Sequence, residues 1–243
     1  MASPINPNAG LVRQYGLESL PESVVHLTRL VSRQDATAEE IAKILSKDKV
    51  VSARLLRFAN PGAECEQDYT FTTVEEALLR TGMAPVILLA MIDPVVRAVV
   101  KASSMFETPL IQVPLSDLSP FSGSHVLATV EFAGKGTGAV QVRVTSEAAQ
   151  AFAAEVMKIP PEEMTDEAVI DDVVGELVNI IAGNLQSNLC DAGISCRLSA
   201  PQVCRVTTFR KQGMAGHAVE RLGFEGSGMT AFVDVCVNPW SDN

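Results

Sequence analysis

The sequence predicts an α+β protein in which an all-helical first part precedes a part that mixes strands with long helices. Two observations predict this order. Residues 20–100 carry apolar side chains at helical spacing, with helix-start and helix-stop residues between the runs. Residues 124–145 and 202–237 instead contain alternating, strand-like stretches joined by glycine-containing turns. Apolar residue types make up 47% of the 243 residues and aromatic ones only 5%, so we expect aliphatic cores.

Helix-start and helix-stop residues divide the first part into five predicted helices. Thr37 or Asp35 is the expected N-cap of the second helix, with Glu40 placed for a capping box. Asp48 begins the next helix, and Gly82 ends the one after it. The predicted helices cover residues 23–32, 38–45, 48–60, 74–80 and a stretch from residue 85 onward.

The chain changes character near residue 102. Residues 102–122 contain three prolines and several serines and lack a helical period, which predicts a linker. The glycine-rich segment 133–138 lacks the spacing of a phosphate-binding loop and leads into a strand, so we predict a hairpin turn. Ser146 is the expected cap of a helix that ends near Met157. The predicted strands are 124–132, 139–145, 202–209, 217–224 and 229–237.

Asp172, Glu176 and Asn179 form the most informative pattern of the chain. Their spacing, D-x-x-x-E-x-x-N, lies in a segment of helical period and places the three side chains within a wedge of roughly 60°. Gly175 and Gly183 carry no side chain, so that another backbone can approach the helix closely at these positions. An ordinary solvated polar face fits the same spacing. The opposite face is an apolar stripe of Ile170, Val173, Val174, Leu177, Val178, Ile181 and Leu185.

The pattern D-x-x-x-E-x-x-N, followed here by I-I-A-G-N, resembles the signature of the CheC/CheX/FliY phosphatases, which dephosphorylate the chemotaxis response regulator. The resemblance covers about residues 115–243. Only one copy of the motif is found, which favours the CheX branch over CheC. The resemblance implies an α/β sandwich with a mainly antiparallel sheet and long helices.

This resemblance also implies roles for the motif residues. Asn179 would orient the water that attacks the aspartyl phosphate of a CheY-like receiver, and Glu176 would pair with the receiver lysine beside the phosphosite. Asp172 would be a rim contact, while Gly175 and Gly183 would let the helix fit over the phosphosite. The chain needs no cofactor or metal of its own in this scheme, since Mg²⁺ is expected on the receiver.

The first part resembles a truncated HDOD domain, an all-helical signalling module that normally runs to about twice this length. We therefore expect an HDOD-like domain over 1–105 and a CheX-like domain over 115–243. No histidine is followed by Asp, so the dyad of HD hydrolases is missing, and recruitment or dimerisation is the expected role. A generic helical bundle is the alternative. The matching residues are 20–21, 38–48, 52–57, 59–62, 74–77 and 81–82.

Charge and cysteine content exclude several classes of function. The net charge of −10 divides into −2 for residues 1–110 and −8 for residues 111–243, which argues against nucleic acid as a partner. Five cysteines without C-x-x-C spacing indicate free thiols in a reducing cytoplasm rather than a disulfide framework or zinc site. The most apolar stretch, 85–100, is interrupted by charged residues and a proline and is too short for a membrane span.

Two functions therefore remain for the motif helix. The first is a phosphatase that acts on a phosphorylated CheY-like response regulator, and the alternative is a non-catalytic adaptor that binds a receiver or another partner through the same face. We also expect a homodimer, because the apolar strand Met229–Val237 would pair with a second protomer if it lay at a sheet edge. A monomer with that edge covered by the N-terminal helices is the alternative.

Overall fold

The structure is a computed structural model that describes residue 30 and residues 36–60, 68–82, 84–134, 137–191, 195–207, 209 and 218–237. The first predicted helix, 23–32, lies outside the described residues except for Leu30, which is helical. The rest has the predicted α+β organisation, with helices first and a mixed part after them.

Six α-helices and seven strands make up the described part of the chain. The helices are α1 (Ala38–Leu45), α2 (Lys49–Ala59), α3 (Val74–Thr81), α4 (Ala84–Met105), α5 (Ser146–Met157) and α6 (Glu167–Asp191). The strands are β1 (Ile111–Val113), β2 (His125–Gly134), β3 (Gly138–Thr145), β4 (Cys196–Leu198), β5 (Gln202–Val206), β6 (Ala218–Gly226) and β7 (Met229–Val237).

Most of the predicted helix ends are confirmed by side-chain caps. Thr37 caps α1 and forms the predicted capping box with Glu40, and Asp48 caps α2 by accepting from two backbone N–H groups. Gly82 ends α3 in a positive-φ conformation. The prediction for α5 was wrong by one residue, because Thr145 rather than Ser146 accepts the capping hydrogen bond.

The seven strands form one antiparallel sheet. Its order is β1-β6-β7-β3-β2-β4, and β5 pairs with the beginning of β2. The predicted hairpin is present, since β2 and β3 pair in register from His125–Thr145 to Phe132–Gly138. Alternate side chains of β2, β3 and β7 are buried beneath the helices, which creates an aliphatic core as expected. These side chains are Val126, Ala128, Val130, Val140, Val142, Val144, Ala231, Val233 and Val235.

The prediction of an unstructured linker over residues 102–122 was wrong for its first half. Residues 102–105 complete α4, and β1 pairs with β6. Ser103 is buried, where its hydroxyl donates to Val100 O and accepts from Leu110 N at 3.0 Å. Serines that bond to the backbone of their own helix can remain inside it, so the serine content misled the prediction.

The strand Met229–Val237 was also misplaced by the sequence argument. β7 lies between β3 and β6 and pairs with both, so it is a central strand rather than an edge. The proposed route to a homodimer through this strand is therefore wrong. The homodimer itself stays a prediction.

Helix α4 connects the helical part to the sheet. It packs against α6, β6 and β7, and one continuous hydrophobic core includes buried residues from both parts. Arg57 on α2 donates two hydrogen bonds to the carboxylate of Glu220 on β6, at 2.9 and 3.0 Å. The helical part and the sheet-containing part are thus packed against each other.

The sheet face opposite the helices buries an ion cluster. Asp234 on β7 accepts two hydrogen bonds from Arg221 at 2.6 Å and one from Arg143 at 3.3 Å. Arg143 and Asp234 are almost fully buried, and Arg221 also stacks over the Phe209 ring at 4.5 Å. One carboxylate therefore compensates two guanidinium groups on neighbouring strands.

We expect Asp234→Asn to lower the free energy of unfolding by about 3–5 kcal/mol, because it leaves two buried cations without their anion. Urea denaturation measures this loss. The control is Glu107→Gln, which removes an exposed ion pair with Lys158 and should leave the unfolding midpoint near that of the wild type. A midpoint for Asp234→Asn equal to that of the control would contradict the assignment of Asp234 as the anion that compensates both buried guanidinium groups.

We also expect limited proteolysis to leave residues 102–113 uncut, because this segment is held by α4, β1 and the Ser103 hydrogen bonds. A nick within the largely exposed segment 116–124 should not separate the two pieces on gel filtration, since α4 remains packed on α6. Early release of a free fragment that ends before residue 102 would show that the two parts are joined only loosely.

Candidate functional site

The candidate site lies on the exposed face of α6, which is held in place by its apolar face. Val174, Leu177, Val178 and Ile181 are buried, and α6 packs against β2, α5 and α4. At the beginning of the helix, Asp166 Oδ1 accepts from Ala168 N at 2.9 Å. Packing on several sides fixes the rotation of α6, so the same residues always face outward.

The structure brings four of the five predicted site residues onto or beside this outward face. Asp172 and Glu176 are exposed, while Asn179 and Gly183 are half-buried. These four residues follow one another at helical spacings of four, three and four, which forms a single ridge. A domain that approached α6 from solvent would meet two carboxylates, an amide and a glycine without a side chain, in that order.

Glu176 and Asn179 contact each other across one helical turn. The Asn179 Nδ2 group donates to Glu176 Oε2 at 3.4 Å, a long hydrogen bond. With its nitrogen directed at Glu176, the amide presents Oδ1 as an acceptor elsewhere, in an orientation assigned from this bond. The pair therefore combines a negative charge with an oriented amide oxygen on an accessible surface.

Gly175 does not share this surface. It is buried, and a Cβ atom at its position would lie 3.4 Å from Val203 Cγ2 and 3.6 Å from Pro201 Cβ. Gly175 is therefore covered by residues of β5 and the segment before it instead of facing a partner, which corrects its prediction as a partner-contact residue. Gly183 differs, since its Cβ would meet nothing within 4 Å.

Charged side chains flank the ridge on both sides, and the sequence pattern did not reveal them. On one flank, Arg205 of β5 bonds to Asp171 at 3.1 Å and approaches Glu167 at 3.5 Å. On the other flank, Lys101 of α4 donates to Asn184 Oδ1 at 3.3 Å. Neither cation is close to α6 in sequence, so only the fold brings it there.

The described residues contain no group of three or more His, Cys, Asp or Glu side chains that could hold a metal ion. Among the acids of α6, Asp172 and Glu176 lie along the ridge, and Glu167 and Asp171 are paired with Arg205. Among the helices that the structure describes, none has the length and apolar character needed to cross a bilayer.

Family models match both parts of the chain. Residues 126–224 match the model of chemotaxis phosphatase CheX, and residues 17–110 match the model of the HDOD domain. The resemblance predicted from the sequence is therefore confirmed for both parts, with an HDOD-like helical part before a CheX-like part. None of the curated proteins matches the chain.

Solved structures have the same fold over 61% of this chain. The chemotaxis protein CheX from Vibrio vulnificus matches with a TM-score of 0.50 and 17% identity, over 96% of its own length. The CheX–CheY–BeF3–Mg²⁺ complex from Borrelia burgdorferi matches with a TM-score of 0.51 and 19% identity, over 98% of that chain. A CheC-like superfamily protein from a Shewanella species matches with a TM-score of 0.50 and 16% identity, over 97% of its length.

The two site glycines differ in a way that stability measurements can detect. We expect Gly183→Leu to raise the free energy of unfolding by up to about 1 kcal/mol, because it improves helix propensity and enters open space. Gly175→Leu should instead lower it by about 1–3 kcal/mol, because the side chain must displace Val203 and Pro201. Thermal unfolding of the matched pair measures both changes, and equal effects at the two positions would contradict the assigned placement.

Proposed function

We propose that this protein is a phosphatase that hydrolyses the aspartyl phosphate of a CheY-like receiver domain. The observation that carries this proposal is the outward-facing pair of Glu176 and Asn179 on the ridge of α6. The match to the CheX phosphatase model over 126–224, which includes the ridge, supports the same function. One structure with this fold is a CheX–CheY complex with BeF3 and Mg²⁺, which supports a receiver as the partner.

Asn179 is the residue assigned to the attacking water. An acyl phosphate is already activated, so its hydrolysis requires mainly that a water be held in line with phosphorus. An amide can orient such a water through Oδ1 without removing its proton. The hydrogen bond from Asn179 Nδ2 to Glu176 limits rotation of the amide and keeps Oδ1 available. The receiver would supply the Mg²⁺ that balances charge on the phosphoryl group.

Glu176 is the residue assigned to docking. Its carboxylate is exposed and can pair with the lysine that lies beside the phosphosite of the receiver. Asp172, one turn earlier and also exposed, extends the negative rim. The charge of −8 carried by residues 111–243 also favours a partner that presents cations.

An adaptor that binds a receiver without hydrolysing its phosphate is the second candidate. The same ridge would serve such an adaptor, and the α4 helix that lies against α6 gives a second module a direct contact with the docking helix. The two functions differ in what Asn179 does. An adaptor has no use for an oriented water, whereas a phosphatase depends on it.

Asn179→Ala should lower the rate of receiver dephosphorylation about 100-fold while leaving receiver affinity nearly unchanged, because the amide acts chiefly on the water. Glu176→Ala should also weaken affinity, by about tenfold, because it removes a charged contact. Loss of phosphate from an acyl-phosphorylated receiver measures turnover, and titration with a beryllofluoride-activated receiver measures affinity.

Two further variants separate the roles. Glu176→Gln retains an acceptor for Asn179 but loses the charge, so it should reduce affinity more than turnover at saturation. Glu167→Ala is the matched control, since it removes an exposed carboxylate of the same helix that faces Arg205 instead of the ridge. Wild-type turnover by Asn179→Ala on every receiver that the protein dephosphorylates would exclude the water-orienting role. Tight binding without hydrolysis by the wild type would favour the adaptor.

A further inference from the structure

The cation of Lys101 lies beside the ridge of α6, although it belongs to the HDOD-like part. Its ammonium donates to Asn184 Oδ1 at 3.3 Å, and Asn184 in turn donates to Ile180 O at 2.8 Å. The second bond draws the Asn184 side chain back along the helix, towards Ile180. Lys101 is therefore held against the flank of α6 that faces α4, at the turn that contains Asn184.

Lys101 contacts the flank of α6 next to the motif rather than the ridge itself. Asn184 follows Asn179 by five residues, which is a rise of about 7.5 Å along the helix axis and a turn of about 140° around it. A protein interface buries roughly 600–800 Å² on each partner, which corresponds to a patch of about 14–16 Å in radius. A receiver that covers both the ridge and the flank of α6 that faces α4 would cover Lys101 as well.

The charges at the two ends of this patch have opposite signs. Asp172 and Glu176 make one end negative, and Lys101 makes the other end positive. Oppositely charged ends distinguish one orientation of a docked partner from the orientation turned by half a revolution. A single charge beside the phosphosite would leave that rotation less restricted.

We propose that Lys101 and the adjoining surface of α4 form the second half of the receiver-docking site, so that the HDOD-like part selects the receiver. This inference rests on the proposed function. The partner it selects carries a lysine that faces Glu176 and an acidic side chain that faces Lys101, about two helical turns away. A receiver with a basic side chain at that second position is rejected by repulsion.

The surface of α4 has the pattern that such a contact requires. Val100, Ala102 and Ser103 are buried, whereas Lys101 and Met105 are exposed four residues apart on one face. The buried residues anchor α4 in the common core, so that Lys101 is presented from a packed helix. A cation on a packed helix loses little freedom when a partner binds, which favours specificity.

Lys101→Glu tests the inference. With the acyl-phosphorylated receiver that the wild type dephosphorylates fastest, this variant should lower kcat/KM about tenfold while kcat stays within about twofold, because the charge acts on docking. Lys101→Met, which retains the apolar stem, should show a smaller loss. The loss should shrink as salt is added, because salt screens exposed charges.

Lys43→Glu is the matched control. Lys43 is an exposed lysine in the last turn of α1, which packs on α2 and α3, and its reversal changes the net charge of the protein equally. A tenfold loss for Lys101→Glu with wild-type kcat/KM for Lys43→Glu supports the inference. Equal kcat/KM for Lys101→Glu and the wild type overturns it, as does an equal loss in both variants.

Failure of this inference can be distinguished from failure of the proposed function. If Glu176→Ala impairs the reaction but Lys101→Glu does not, the phosphatase assignment stands and the contribution of α4 is excluded. If the wild type neither dephosphorylates nor binds any receiver, the proposed function fails and this inference fails with it. Circular dichroism of each variant verifies that the substitution, at an exposed position, leaves the fold intact.

Discussion

The burial of one face of α6 is the constraint on which the site depends. Leu177, Val178 and Ile181 are packed into the core, which leaves α6 no freedom to rotate about its axis. A rotation of about 100°, one residue step, would bring apolar side chains to the surface, at a cost of about 1.5–3 kcal/mol for each. Glu176 and Asn179 are therefore held outward by side chains that take no part in chemistry. Gly175 lies on the flank of the helix that β5 covers.

Helix α4 connects α6 to the helical part and to the sheet. It is the last helix of the HDOD-like match, yet it packs against α6 and two strands of the sheet, and β1 follows it directly into the sheet edge. The Arg57–Glu220 ion pair connects the helical part to β6 at a second point. These contacts place the helical part beside the ridge of α6, which is the arrangement that the proposed contribution of Lys101 to receiver docking requires.

Local sequence patterns predicted the features that depend on residues close to one another in the sequence. The capping box of Thr37 and Glu40, the hairpin between β2 and β3, and the alignment of Asp172, Glu176 and Asn179 on one helix face all follow from short spacings. Features set by distant partners were missed. The central position of β7 depends on pairing with β3 and β6, and the burial of Gly175 depends on Val203, neither of which leaves a periodic signal. Lys101 was missed for the same reason, since its partner Asn184 is 83 residues away.

The most direct test of the central claim is a crystal structure of the protein bound to a beryllofluoride-activated receiver. The receiver is expected to cover the ridge of α6, with Asn179 Oδ1 within hydrogen-bond distance of a water facing the beryllofluoride group and Glu176 paired with the adjacent lysine. A receiver bound elsewhere on the molecule, or one whose phosphosite faces away from Asn179, would contradict the central claim.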